Sequence, residues 1–539
     1  MLKRLAKAPR TARSFILICA MTLGIAGCSS GNGTNTNMKS NGNAPKTETT
    51  AETGTEKEAA PAAAGGTLKI ARLSDATSLD PHYITNIASA SVIHRTVYEM
   101  LVQRDKNMEF QPMLAKEWKQ LDDLTWEFKL RDDVKFHDGT PFNAVAVKAT
   151  IARALESPRA VVFKMVQEIK AVDDHTLQIV LKTPFSPLLS VLASHESSIM
   201  SPKAMETYGK ELSLHPTGTG PFKFESWTPG EEVVLAKHEG YWGEPVKLDK
   251  VVYMVVPEDT TRLAMVETGE ADIADGIPVT EMARVEGAGV VDLYKSEAFG
   301  AEFIGFNVKK KPFDNMKVRQ AISHAIQRED IFQGVYNGAG KLANSTMGSK
   351  VFGYSDKLQP YPYDVTKAKA LLAEAGFPNG FKAEYWTNDR KERIALAEVV
   401  QSQLKEIGVE LEVKVMEYGA YLESTAKGEQ QMFMTGWGNA TGDADYNQSN
   451  MFLTESHGTT GNVTFYSNPE VDALIQEGRK ETDPEKRKEI YHKAQEIELT
   501  EAAIIPIRNL QNNAAISKKV KGFWINPSGY LMVNEASVE

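Results

Sequence analysis

An α/β body is the fold class that the sequence predicts, on three observations. Segments alternating with period two and segments with helical periodicity follow one another along the chain. About 470 of the 539 residues lie beyond a polar N-terminal stretch, enough for two or three domains. No self-similarity of solenoid period breaks the alternation.

Residues 66–71 alternate as an opening strand. At 125–130, Thr125, Glu127 and Lys129 alternate with Trp126, Phe128 and Leu130, a half-buried strand, and residues 178–182 form another. Residues 316–328 place Val318, Ala321, Ile322, Ala325 and Ile326 on one helical face. A helix over 366–375 stops at Gly376 with Pro378 just beyond, and a helix over 391–407 stops at Gly408. Residues 409–415 alternate again. Residues 430–437 are apolar enough for a strand buried on both faces, and 484–500 read as a further helix.

The N-terminus has a different character. Lys3, Arg4, Lys7, Arg10 and Arg13 precede an apolar run over 14–27 and then Cys28. A basic head, a short apolar run and small residues at a processing point describe an export signal. About fourteen residues are too few to cross a ~30 Å hydrocarbon core comfortably. Ile25-Ala26-Gly27-Cys28 resembles the bacterial lipobox, which implies cleavage after residue 27 and lipidation of Cys28. Several acyl chains on one residue supply an anchor that a single chain does not. Residues 28–66 hold no aromatic residue and almost nothing large and apolar, so they are expected to be a disordered linker. A flexible coil of that length spans about 30–37 Å root-mean-square, the reach of a tether.

Composition narrows the function classes. Cys19 falls in the signal, so Cys28 is the sole cysteine of the expected mature chain. That excludes a disulfide, a Cys-based metal site and a Cys nucleophile in the body. Removing the five basic residues of the signal from 61 Lys+Arg leaves 56 against 71 Asp+Glu, a net charge of −15. Such a balance argues against a nucleic-acid partner.

From residue 97 onward ordered motifs appear. Tyr98-Glu99-Met100-Leu101 is followed by Leu114-Ala115-Lys116-Glu117-Trp118 and by residues 125–139, which end in Phe136-His137-Asp138-Gly139. Then come Gly218-Thr219-Gly220-Pro221-Phe222, Gly240-Tyr241-Trp242-Gly243 and Arg262 through Gly269-Glu270-Ala271-Asp272. Phe306-Asn307, Pro312-Phe313-Asp314, Val318-Arg319-Gln320-Ala321-Ile322 and Ala375-Gly376-Phe377 complete the set. Over residues 67–535 the chain resembles the family-5 bacterial solute-binding proteins, which include dipeptide, oligopeptide, glutathione and nickel receptors.

The resemblance implies a two-lobed, periplasmic-binding-protein-like clamp of type II. Lobe one would be 67–308, with an extra subdomain at about 109–212 and a C-terminal return at 511–539. Lobe two would be 309–510. It also implies a monomeric receptor that captures short peptides or peptide-like solutes between the lobes and hands them to ABC permease subunits in the membrane. Closure driven by ligand requires contacts that exist only in the closed state, and so from both lobes. Glutathione, a nickel or other metal chelate, or a peptide-sensing role without transport are the alternatives. The long tether and Ser29 after Cys28 favour a Gram-positive surface over a periplasm.

For ligand contacts, the informative stretch is 435–446, where Trp437, Gly438 and Asn439 lead into a Gly- and Asp-rich loop. In the peptide receptors an aspartate three positions after the matching tryptophan pairs with the ligand ammonium; here that position is Ala440. Either Asp443 or Asp445 takes the role, or the ligand presents no ammonium there, or both aspartates only shape the turn. Residues 385–393 leave a strand and open a helix, and the resemblance turns them to the cleft. Asn388, Arg390 and Arg393 are candidates there, the arginines for a carboxylate or as a solvated first turn. Trp386 and Trp437 are pocket walls or plain core. Tyr83 and Thr85 follow the Leu79-Asp80-Pro81 turn of lobe one. No catalytic residue, metal ligand or cofactor is expected. His195-Glu196 and His238-Glu239 lack the second histidine of a zinc helix, and His137-Asp138 belongs to a turn after a strand.

Overall fold

The computed structural model describes residues 65–539 except 85, 459 and 460, with Val161 described by its backbone alone. The signal, Cys28, most of the linker and Thr85 lie outside the described residues. Two large sheets, three two-stranded ribbons and a set of helices packed on them make up the described residues. The larger sheet has eleven strands. Its order runs Val409–Met416, Phe381–Asn388, Met432–Trp437, Asp292–Phe306, Ile504–Ile516, Ile273–Asp275, Thr67–Arg72, Lys250–Val255, Glu232–Lys237, Phe222–Thr228, with Lys341–Leu342 beside Ile504–Ile516. The smaller sheet is antiparallel, in the order Ala115–Gln120, Thr125–Leu130, Thr176–Leu181, Val166–Asp173.

The two longest strands lie side by side in the middle of the large sheet. Asp292–Glu297 pair with residues 511–516, and Ala301–Gly305 pair with residues 504–509. The register shifts between Glu297 and Ala301 and again between Glu302 and Phe303. Such irregularities bend and twist a strand. Gly300 sits in the first of them, where a Cβ would come within 2.7 Å of Leu510 Cδ1.

Apolar burial at roughly 1.5–3 kcal/mol per large side chain drives the packing. Leu68, Ile70, Val92, Val251 and Tyr253 share one core with Leu531 and Val533 from the end of the chain. Phe128, Leu130, Val147, Ile151 and Ile179 fill a second core on the small sheet. Val318, Ile322, Leu396, Val400, Val409 and Met432 fill a third.

Most predicted elements are present, with small shifts. The helix expected over 316–328 ends at Ala325, and a second begins at Arg328. The break has a cause: Gln403 accepts from the Gln327 amide at 3.1 Å and donates to its carbonyl at 3.4 Å. Buried Ile326 is extended there instead of helical. Asp364 caps the helix Val365–Glu374, and Asp483 caps Pro484–Thr500. The strand Met432–Trp437 is buried only in its first half; Thr435, Gly436 and Trp437 emerge half-exposed.

The motif residues converge on buried polar joints. Glu99 is fully buried and accepts from Thr219 Oγ1 at 2.8 Å, Tyr241 Oη at 2.7 Å and Trp242 Nε1 at 2.7 Å. Burial lifts its carboxyl to about 7 against the pull of those donors and of Arg95. Gly218 and Gly220 pass so close to the carbonyls of Val97 and Thr96 that a Cβ would lie 2.1 Å from either oxygen. Arg262 and Arg319, both buried, donate to backbone carbonyls of residues 256, 257 and 276 and of residues 313, 501 and 502. His137 Nε2 lies 2.9 Å from the Gly220 carbonyl, and Asp138 accepts from Ser201 Oγ at 2.6 Å and Thr140. No helix of the described residues is long and apolar enough to cross a membrane.

Candidate functional site

The loop after Met432–Trp437 is organised by Asn439. Its Oδ1 accepts from the amides of Thr441 (3.0 Å) and Gly442 (2.6 Å), and its Nδ2 donates to Asp443 O (2.8 Å) and Asn447 Oδ1 (2.5 Å). Asp443 then caps the helix Ala444–Met451, a helix that sequence reading left as loop, by accepting from the Asp445 amide at 2.9 Å. The same carboxylate holds Arg487 in a two-bonded fork of 2.6 and 2.8 Å. Burial raises the Asp443 carboxyl, but Arg487, the Asp445 amide and Arg104 together hold it below the usual carboxylate range. Arg487 also donates to Gly478 O and lies against the rings of Phe352 and Tyr491. Asp445 accepts from Arg479 Nε and Ser449 Oγ, both at 2.7 Å.

Taking lobe one as 67–308 with 511–539 and lobe two as 309–510, polar groups of both meet at this loop. Arg104 donates to Thr441 O at 3.2 Å and to Ser190 Oγ at 2.8 Å, and Ser190 Oγ lies 3.4 Å from Asp443 Oδ2. Ser528 Oγ donates to Asn439 O at 3.4 Å. Ser186 bonds to the carbonyls of Arg479 and Glu481, its amide to the first at 2.8 Å. The segments so divided are thus bonded to each other at this loop. The crevice between them at Ala440 and Thr441 is lined by Arg104, Ser190, Ala193, Phe299 and Tyr530 among others, and holds about 30 Å³. That is room for a water molecule.

The other nominated residues scatter. Arg393 is buried and bonded to Glu302 Oε1 at 3.3 and 3.4 Å, while Arg508 Nε donates to Glu302 Oε2 at 2.7 Å. Arg390 is exposed at the start of the helix Lys391–Lys405, with its guanidinium 5.9 Å from the Tyr418 ring. Trp386 packs in the core with Phe303, Tyr421 and Phe433, and its Nε1 donates to Glu384 at 2.8 Å. Asn388 is fully buried, with neither side-chain amide atom partnered. Trp437 is half-buried, 6.1 Å from the Tyr446 ring, with Nε1 unpartnered. Gly438 meets nothing within 4 Å of a Cβ placed on it, so it faces open space. Tyr83 is exposed, 5.6 Å from the Arg153 guanidinium that grips Asp80. Thr85 lies outside the described residues.

Sequence reading passed over Arg104, Ser190, Glu196, Tyr446 and Tyr530. Tyr446 lay inside the nominated loop, and Glu196 was weighed only as half of a zinc motif. A single sequence carries no signal for cross-lobe pairs separated by 250 residues or more. Among the described residues no group of three or more His, Cys, Asp or Glu is placed to hold a metal ion.

Comparison with known proteins follows this geometry. The model for bacterial extracellular solute-binding proteins, family 5, matches residues 109–459. The chain is 36% identical over 480 residues to the glutathione-binding protein GsiB of Escherichia coli O1:K1, covering 86% of this chain and 93% of that protein. Among solved structures, the periplasmic binding protein DppA of Helicobacter pylori with peptide STSA superposes with a TM-score of 0.78 at 31% identity, covering 88% of this chain and 98% of that one. A dipeptide-binding protein of Pseudoalteromonas with Met-Leu gives 0.80 at 26%, covering 88% of this chain and 100% of that one. The α/β fold is the two-lobed architecture of these structures. The chain therefore belongs to the bacterial extracellular solute-binding proteins of family 5.

Proposed function

We propose that this protein is the lipid-anchored, extracytoplasmic receptor of an ABC importer, and that it captures peptide-like solutes between its lobes. The observation that supports the reading is the crevice at Ala440 and Thr441, where Arg104, Ser190 and Asp443 meet. The names of the relatives, for glutathione and for dipeptides, support the solute class. In this reading Cys28 anchors a monomer, the linker 28–66 gives it reach, and permease subunits receive the solute. Residues 67–308 with 511–539 form one lobe, 309–510 the other, and the register breaks at 297–301 are the hinge. Trp437, Gly438 and Asn439 wall the cleft, with Tyr83 facing it from lobe one. Asp443 and Asp445 shape its loop through Arg487 and Arg479. Arg390 remains at the helix opening to meet a carboxylate; Trp386, Asn388 and Arg393 support it from behind.

Glutathione is preferred over a metal chelate, because the similarity to a glutathione-binding protein extends over 480 residues. A melting experiment on the purified protein tests the reading. Glutathione or a dipeptide at 100 times its Kd will stabilise the fold by about 2.7 kcal/mol. If neither raises the midpoint while a sugar does, the peptide-like assignment is wrong.

A further inference from the structure

We propose that Glu196 and Arg159 together bind a zwitterionic α-amino-acid head group, one that carries ammonium and carboxylate on the same carbon. The proposal rests on the reading above that the cleft takes peptide-like solutes, and it names which of them.

Glu196 sits in the short 3₁₀ turn His195–Ser197, with its side chain only 3% exposed. Its Oε1 lies 3.6 Å from Arg159 Nη1, and its Oε2 has no hydrogen-bond partner. Arg159 is partly exposed, tied by Nη2 to the carbonyl of Ile84, with its Nε unpartnered. A buried carboxylate oxygen without a donor is costly, and native proteins leave few of them. Here the unfilled acceptor and the unfilled donor belong to one loose ion pair.

The surroundings set this pair beside the crevice at Ala440. Tyr530, from the C-terminal return, bonds to the neighbouring His195 at 2.8 Å. Tyr446, on the helix Ala444–Met451, has its ring 6.1 Å from that of Trp437. Ala193, Tyr530 and Ala440 line one crevice. Burial lifts the Glu196 carboxyl, and Arg159 and Ser194 offset part of the rise. A ligand cation at Oε2 supplies what the site lacks, from the lobe opposite Ala440.

Two opposite charges in contact select a particular chemistry. In an α-linked peptide the free ammonium and the free carboxylate stand at opposite ends. In a solute whose glutamyl residue is joined through its side chain, both stay on one carbon. Glu196 then accepts from the ammonium through Oε2, and Arg159 donates to the carboxylate through Nε and Nη1.

Calorimetric titration of the protein with γ-Glu-Cys-Gly and with its α-linked isomer tests this. The γ-linked compound is expected to bind at least about tenfold more tightly, the value of one or two charge-assisted hydrogen bonds. In Glu196→Gln, shown to be folded by the melt of the free variant, the ratio between isomers should fall to near one. Arg159→Lys, which cannot make the two-bonded fork, should narrow it too. Equal binding of the isomers by the natural chain, or an undiminished ratio in folded Glu196→Gln, overturns the proposal. If neither isomer and no dipeptide binds at all, the peptide-like reading itself has failed, and this inference falls with it.

Discussion

Glu302→Ala will lower the free energy of unfolding by about 3–5 kcal/mol, as measured by denaturant titration. Glu302 is 5% exposed on the long strand Asp292–Phe306 and stands between two arginines. Arg393 binds one of its oxygens and Arg508 the other, and the Arg508 guanidinium lies 3.7 Å from the centre of the Tyr336 ring. Burial raises the Glu302 carboxyl, but the two arginines overcome it and hold the group below its ordinary value. Removing the carboxylate strands buried Arg393 and partly buried Arg508, whose desolvation is no longer offset. The pH dependence has a definite sign. With the folded pKa below the unfolded one, the stabilisation is fully present above the unfolded value and is lost as pH falls through the folded value. Replacing Glu302, Arg393 and Arg508 together with apolar residues of similar volume should recover much of the loss. A change below about 1 kcal/mol in Glu302→Ala would mean that the arginines find water or other partners, and that the cluster is not a closed unit.

Asp443→Ala will be comparably severe, because one side chain has two tasks. It neutralises Arg487, which is 6% exposed, and it caps the helix Ala444–Met451. The pair accounts for about 3–5 kcal/mol and the cap for roughly 1 kcal/mol, with overlap between them. Solute affinity will fall as well, because Asn439 and the cleft loop hang on the same turn. The double variant Asp443→Ala with Arg487→Met separates the two explanations. Stability and solute affinity are expected to return together in large part, since the forked cation Arg487 is then gone and only Arg104 still lacks its counter-charge. Affinity that stays lost while stability returns would show that Asp443 touches the solute directly.

Fold and ligand were not equally legible. The motifs that mark the family are residues such as Glu99, Thr219, Trp242, Arg262 and Arg319, and the structure bonds each of them into a polar joint, Trp242 half-buried and the others buried. A motif of this kind reports how the chain packs, so membership of the family could be read from it. Periodicity located the helices because their buried faces repeat, and it failed at Ile326–Gln327 because the break there is made by Gln403, 76 residues away. In the nominated loop the aspartates were weighed as ammonium partners or as turn-shaping residues, and the structure pairs both with arginines. Their arginine partners come from residues 479 and 487, over thirty positions downstream. Glu196 was invisible for the same reason: its ion-pair partner is Arg159, 37 positions upstream.

The paired strands Asp292–Phe306 and Ile504–Ile516 carry a mechanical consequence. Where their register slips, the large sheet narrows to this ribbon, with Lys341–Leu342 on its edge. Two strands bonded side by side resist sliding past each other and yield across the pleat. If this ribbon is the proposed hinge, closure bends it in that one soft direction. Residues around 297–301 would then act as a spring that limits closure without meeting the solute.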